Sequence, residues 1–108
     1  MCALLFQFIV GHALADFVLQ SDAMAVYKSR HMKHEHNGFP PWYYWLTSHA
    51  LIHGGVVYLI TGSCILGIIE TGVHWLIDLC KCEHKISLHT DQLLHIICKL
   101  AYTYYLIM

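Results

Sequence analysis

Apolar residues dominate four stretches of the chain, about 2–20, 42–60, 64–80 and 88–108, and polar residues break each at a four-residue spacing. His12 and Asp16 interrupt the first stretch, His49 and His53 the second, His74 and Asp78 the third, Asp91 and His95 the fourth. On a helix, positions i and i+4 share one face, one turn apart. The pattern predicts four helices, each presenting one pair of residues of metal-ligand type. The stretches suit membrane spans in length and apolarity. The expected fold is therefore all-α, an integral membrane four-helix bundle running up-down-up-down, with a single transmembrane domain over 1–108.

Between the first two stretches, residues 21–41 read as a linker. Ser21 and Asp22 are placed to cap a short helix from Ala23 to about His31. His31, His34 and His36 read as a solvated loop rather than an accessory metal or substrate patch. Gly38 to Pro41 end the linker, with Pro41 suited to the first turn of the next helix. Trp42, Tyr43, Tyr44 and Trp45 read as an interfacial aromatic belt, and Tyr102, Tyr104 and Tyr105 as a second one. Lys28, Arg30 and Lys33 follow the first stretch, and Lys81 and Lys85 the third. Four antiparallel spans place both basic loops on one side, expected to be cytoplasmic. That gives a multi-pass protein of the bacterial inner (plasma) membrane, with the lipid bilayer as partner. The first stretch lacks a basic n-region, so it reads as a retained span rather than a signal peptide.

Composition sharpens this picture. The 108 residues are 57% hydrophobic and 12% charged, with mean hydropathy +0.52. A net charge of −1 gives no support to a nucleic-acid duplex as partner. Ten histidines are a large excess, and five of them occupy the paired positions. Cys2, Cys64, Cys80, Cys82 and Cys98 read as free thiols. The Cys80-Lys81-Cys82 spacing is too short for a zinc knuckle.

In the expected topology His12, Asp16, His49, His53, His74, Asp78, Asp91 and His95 fall at one depth, near the cytoplasmic interface. An ionised Asp at a span centre costs roughly 2.5–3.5 kcal/mol, so three need compensation. Bound cations supply it. Asp and His together suit Zn, Mn or Fe, and helical bundles build two-metal sites from inward ligands on each helix. The cofactor expectation is two divalent transition-metal ions with a bridging carboxylate, and Asp16, Asp78 and Asp91 are the candidate catalytic groups. Haem ligation across the bundle has no use for three carboxylates. Gln20 and Gln92 are candidates for orienting substrate or ligands. Glu70 precedes His74 by four residues and Lys99 follows His95 by four, so an ion pair beneath the metals is expected, closing the floor or orienting ligands. Lys28 and Lys81 read chiefly as positive-inside residues, with anion binding as the alternative.

The segments Gly11 to Gln20, with its Ala15-Asp16-Phe17-Val18-Leu19-Gln20 run, His49 to His53, His74 to Lys81 and Asp91 to His95 resemble a family of small bacterial and phage membrane proteins catalogued as a domain of unknown function. The likeness covers essentially the whole chain. The His/Asp pattern is similar, more distantly, to inner-membrane metal-dependent hydrolases, which implies a reaction class by analogy. The expected function is metal-dependent hydrolysis of a phosphate ester, such as a lipid headgroup, a lipid-linked phosphate or a nucleotide. Alternatives are metal-ion or proton transport, or a metal-stabilised phage membrane interaction protein without turnover. Assembly as a homo-oligomer stays open.

Overall fold

Every element among the described residues is helical, and the helix ends follow from local sequence. The computed structural model describes residues 2–32 and 39–108. Helix α1, Cys2–Ala13, runs directly into one π turn, Leu14–Val18. Short α2 is Asp22–Tyr27, α3 is Trp42–Thr61, α4 is Cys64–Cys82 and α5 is Leu88–Ile107. Three serines open helices in one way. The hydroxyls of Ser21, Ser63 and Ser87 accept from the backbone N–H of Met24, Leu66 and Thr90, pairing donors that a first turn otherwise leaves free. Pro41 sits at the N-cap of α3, one residue before the first-turn position expected.

Gly62 ends α3 with φ at 71°, a left-handed conformation that glycine adopts without a Cβ penalty. With only Gly62 and Ser63 between them, α3 and α4 form an antiparallel hairpin. The two helices touch through glycine. A Cβ on Gly54 would stand 1.8 Å from Thr71 Oγ1 and 2.6 Å from the Gly67 carbonyl oxygen. On the opposite side of α3, a Cβ on Gly11 would meet Val56 Cγ1 at 2.5 Å, so α1 also lies close.

α2 folds back over this framework. Tyr27 packs edge-on to Phe39, with ring centroids 4.7 Å apart, and Trp45 lies 5.7 Å from Phe39. Trp45 thus anchors α2 rather than serving only as part of an aromatic belt. Lys33, His34 and His36, expected in a basic loop, lie outside the described residues.

Twelve polar or charged side chains are buried among the described residues, against eight apolar ones. The apolar cluster is small: Phe8, Val57, Leu66 and Tyr102, with Leu4, Ile60 and Cys98 packed against it. The interior is therefore organised by a polar centre, and many apolar side chains face outward, Leu59 and Ile65 among them.

The expectation of membrane spans is corrected here. Among the described residues no helix is long and apolar enough to cross a membrane. α1 has 12 residues before the π turn, about 18 Å of rise against a hydrocarbon layer of about 30 Å. α4 carries Glu70, His74, Asp78 and Lys81, and α5 carries Asp91, Gln92, His95 and Lys99. The polar residues that make the interior also dilute the apolarity of the helices that bear them. The four spans, the cytoplasmic loops, the inner-membrane location and the embedding bilayer are withdrawn. The all-α bundle stands.

Candidate metal centre

Asp16 enters the centre from the π turn. One extra residue widens that turn, and the Leu19 N–H reaches back five residues to the Leu14 carbonyl at 2.8 Å. Such turns are often found at functional sites. His12 lies on the preceding α-helical turn, its Nε2 3.6 Å from Asp16 Oδ2. Both side chains are buried, though each keeps 7% exposure.

Three hydrogen bonds converge on Asp16. His49 Nε2 donates to Oδ1 at 3.1 Å and His53 Nε2 at 3.2 Å, while Gln92 Nε2 donates to Oδ2 at 2.6 Å. Burial by itself raises the carboxyl pKa, but these bonds outweigh it and hold Asp16 below the ordinary carboxylate range. Gln92 also accepts from His12 Nε2 at 2.9 Å through Oε1, and it donates to Asp91 Oδ2 at 3.1 Å. A single amide thus ties α1, the π turn and the start of α5 together.

The five paired histidines form one cluster. His53 and His74 stack with centroids 3.6 Å apart, and His74 and His95 at 4.0 Å. His49 meets His74 edge-on at 5.0 Å, and His12 lies 5.2 Å from His53. Burial lowers His53 to about 4 and His74 to about 2. Neutral imidazoles with free lone pairs are the form a cation binds.

Among the described residues, both ring nitrogens of His74 and of His95 are buried without a hydrogen-bond partner, as are Nδ1 of His12 and His49. Buried polar atoms are rarely left unpaired, because each forfeits its hydration. Several in one cluster call for a ligand. One ligand atom each from Asp16, His49, His53 and His74 lie within 4.8 Å of one another, and all four residues are buried. Three imidazole nitrogens and one carboxylate oxygen suit Zn, Mn or Fe. Glu70, His74 and His95 form a second group on the same criterion.

The remaining expected residues take other places. Asp78 lies between two ammonium groups, Lys28 Nζ at 2.7 Å from Oδ2 and Lys81 Nζ at 3.0 Å from Oδ1, with His49 Nε2 at 3.6 Å. Burial acts to raise its pKa, but the two lysines pull it down to about 2. Asp91 Oδ1 stands 3.3 Å from His95 Nε2. Asp78, Asp91 and His12 therefore flank the four-ligand group as neighbours. Gln20 accepts from Lys28 Nζ at 2.6 Å.

Lys99 Nζ donates to Glu70 Oε1 at 2.6 Å, the ion pair expected from spacing. Tyr102 adds its hydroxyl to Glu70 Oε2 at 2.8 Å. Burial raises the Glu70 pKa, and His74, Lys99 and Tyr102 together more than reverse that, to about 2. Sequence reasoning missed Tyr102, although it follows Lys99 by three residues and so shares its face. It also read Lys28 mainly as a loop charge, whereas only 2% of this residue is exposed. No local signal marks that burial, since the partner carboxylate lies on α4.

The family model described as Protein of unknown function (DUF3307) matches residues 4–108. No curated protein matches the chain. No solved structure matches it either.

Proposed function

Because the chain belongs to that family, whose description assigns no activity, we propose its function from the site: a metal-dependent hydrolase acting on a phosphate ester. The observation that carries this reading is the buried group of Asp16, His49, His53 and His74, with ligand atoms in mutual reach and the imidazoles of His53 and His74 held neutral by burial. A divalent ion bound there lowers the pKa of a water and offsets charge on a phosphoryl oxygen.

The chain's own residues do the rest. Asp16 gathers His49 and His53 through one oxygen and Gln92 through the other, so the ligands are held in place before a substrate arrives. His12 and Asp16 keep 7% exposure while His49, His74 and His95 are sealed, which leaves the α1 side as the more open approach. Charge selects the class of substrate. Asp78 faces Lys28 and Lys81 and Glu70 faces Lys99, while Asp16 and Asp91 lie against imidazoles. Four carboxylates against three ammonium groups become net positive once a divalent ion enters, which favours an anion. Lys81, the lysine of the three with a partly exposed side chain, is placed to meet a phosphate, and Asp78 holds it.

The depth of the centre favours a second reading, a bundle that uses its metal to hold the fold without turnover. Turnover separates the two. Protein purified without chelator is to be assayed for metal by elemental analysis. It is then tested against mono- and di-p-nitrophenyl phosphate with Zn, Mn or Fe added. Metal together with turnover that His53→Ala abolishes supports hydrolysis. Metal without turnover on any phosphate ester supports the structural role, and absence of metal overturns both.

A further inference from the structure

His74 belongs to both candidate ligand groups, the one with Asp16, His49 and His53 and the one with Glu70 and His95. An imidazole has two nitrogens pointing to opposite sides of the ring, and both nitrogens of His74 are buried without a hydrogen-bond partner among the described residues. A histidine serving one metal normally donates its other N–H to a carboxylate or carbonyl, which fixes the tautomer. His74 has only a long contact of that kind: Glu70 Oε1 lies 3.5 Å from Nδ1 and is held more closely by the Lys99 ammonium at 2.6 Å.

We propose that His74 bridges two metal ions, one on each ring nitrogen, with Glu70 and His95 completing a second site. This rests on the metal centre inferred above and adds the position of the second ion. The ring gives one lone pair to each ion, and its N–H proton leaves to solvent as the second ion enters. The shared ligand is then an imidazolate rather than a carboxylate.

Two further observations fit. Both nitrogens of His95 are also buried without a hydrogen-bond partner, with Asp91 Oδ1 3.3 Å from Nε2. Glu70 is fixed from behind by Lys99 and by the Tyr102 hydroxyl, as an outer shell fixes a ligating carboxylate. The competing arrangement is that Lys99 itself provides the second positive charge and only one ion binds.

Metal stoichiometry and magnetism on the full chain distinguish these. The protein is loaded with Co(II) or Cu(II), freed of excess ion, and examined by elemental analysis and electron paramagnetic resonance. Two ions per chain are expected, with a resonance intensity well below that of two independent spins, because an imidazole bridge couples them. His95→Ala and, separately, Glu70→Gln should each drop the content from two ions to one and restore a full single-spin signal. One ion in the unaltered chain, with neither variant changing it, overturns the second site and leaves the first intact. Two ions with uncoupled spins overturn the bridge. No ion at all overturns the metal centre itself, a result distinct from either.

Discussion

Lys28 places its ammonium 2.7 Å from Asp78 Oδ2, joining the segment after α2 to α4 across fifty residues of chain. Both side chains are 2% exposed. A buried pair of this kind is sensitive to losing one member, because the survivor keeps its desolvation cost without its partner. Lys81 still faces Asp78 when Lys28 is gone, which softens the effect. Lys28→Met should therefore cost about 2–3 kcal/mol, below the top of the range for a stranded buried charge. Lys28→Met combined with Asp78→Leu should cost less than the sum of the two single changes. Urea denaturation of all four proteins checks this, and strict additivity would rule the pair out as a coupled unit.

Acid should expose the same carboxylate. The folded-state pKa of Asp78 is depressed to about 2 from an ordinary 3.8. A depressed carboxyl contributes stability that is present above the unfolded pKa and is lost as pH falls through the folded one. The loss should begin near pH 4 and run toward pH 2. Asp78→Asn should flatten that limb of the stability curve of the metal-free protein. An unchanged slope between pH 4 and 2 would contradict the assignment.

Glu70 and Lys99 make a second test of buried charge. Glu70→Gln leaves the Lys99 ammonium without its carboxylate, and Lys99→Met leaves Glu70 with only the Tyr102 hydroxyl and a distant His74. Each single change should lower stability by about 3 kcal/mol, and the double change by less than either single change implies. Thermal and chemical unfolding of the set measures the coupling. Independent losses would remove the pair as an interacting unit.

The hairpin contact yields a prediction of opposite signs at neighbouring glycines. Gly54→Ala must push a methyl into Thr71 and the Gly67 carbonyl, and the backbone oxygen cannot move aside cheaply. Its cost should be roughly 1–3 kcal/mol or more. At Gly55 an added Cβ meets nothing within 4 Å. Gly55→Ala should therefore stabilise α3 by about 0.5–1 kcal/mol through helix propensity. Equal melting temperatures for the two variants would mean that the helices do not touch at Gly54.

Much of the bundle was legible in sequence because the four-residue spacing of His12–Asp16, His49–His53, His74–Asp78 and Asp91–His95 is a local signal. Serines at 21, 63 and 87 likewise mark helix starts through local hydrogen bonds. Spacing also brought Glu70 and Lys99 level. The π turn at Asp16 was not legible, since a widened turn reflects what His49, His53 and Gln92 pull on from elsewhere in the fold. The division of labour among carboxylates was equally hidden. Asp16 and Asp78 look alike in the pattern, yet one collects imidazoles and the other collects ammonium groups. Apolarity misled because it was averaged over stretches, whereas the helices turn their polar face inward and expose residues such as Leu59, Ile65 and Leu76.

The hairpin joined at Gly62 and Ser63 holds His49, His53 and His74, three of the four candidate ligand residues of the first group, and Asp16 comes from the other side of the linker. Joining two helices through so short a turn closes a small loop, whose entropy cost is low, and local contacts form early. The nitrogen ligands can thus come together in a nascent chain before the amino-terminal segment docks. An ion bound at the proposed site would then be captured in two events, a quick loose grip by imidazoles and a slower tightening when the carboxylate arrives. Release of such an ion would in turn require the amino-terminal helix to lift away first.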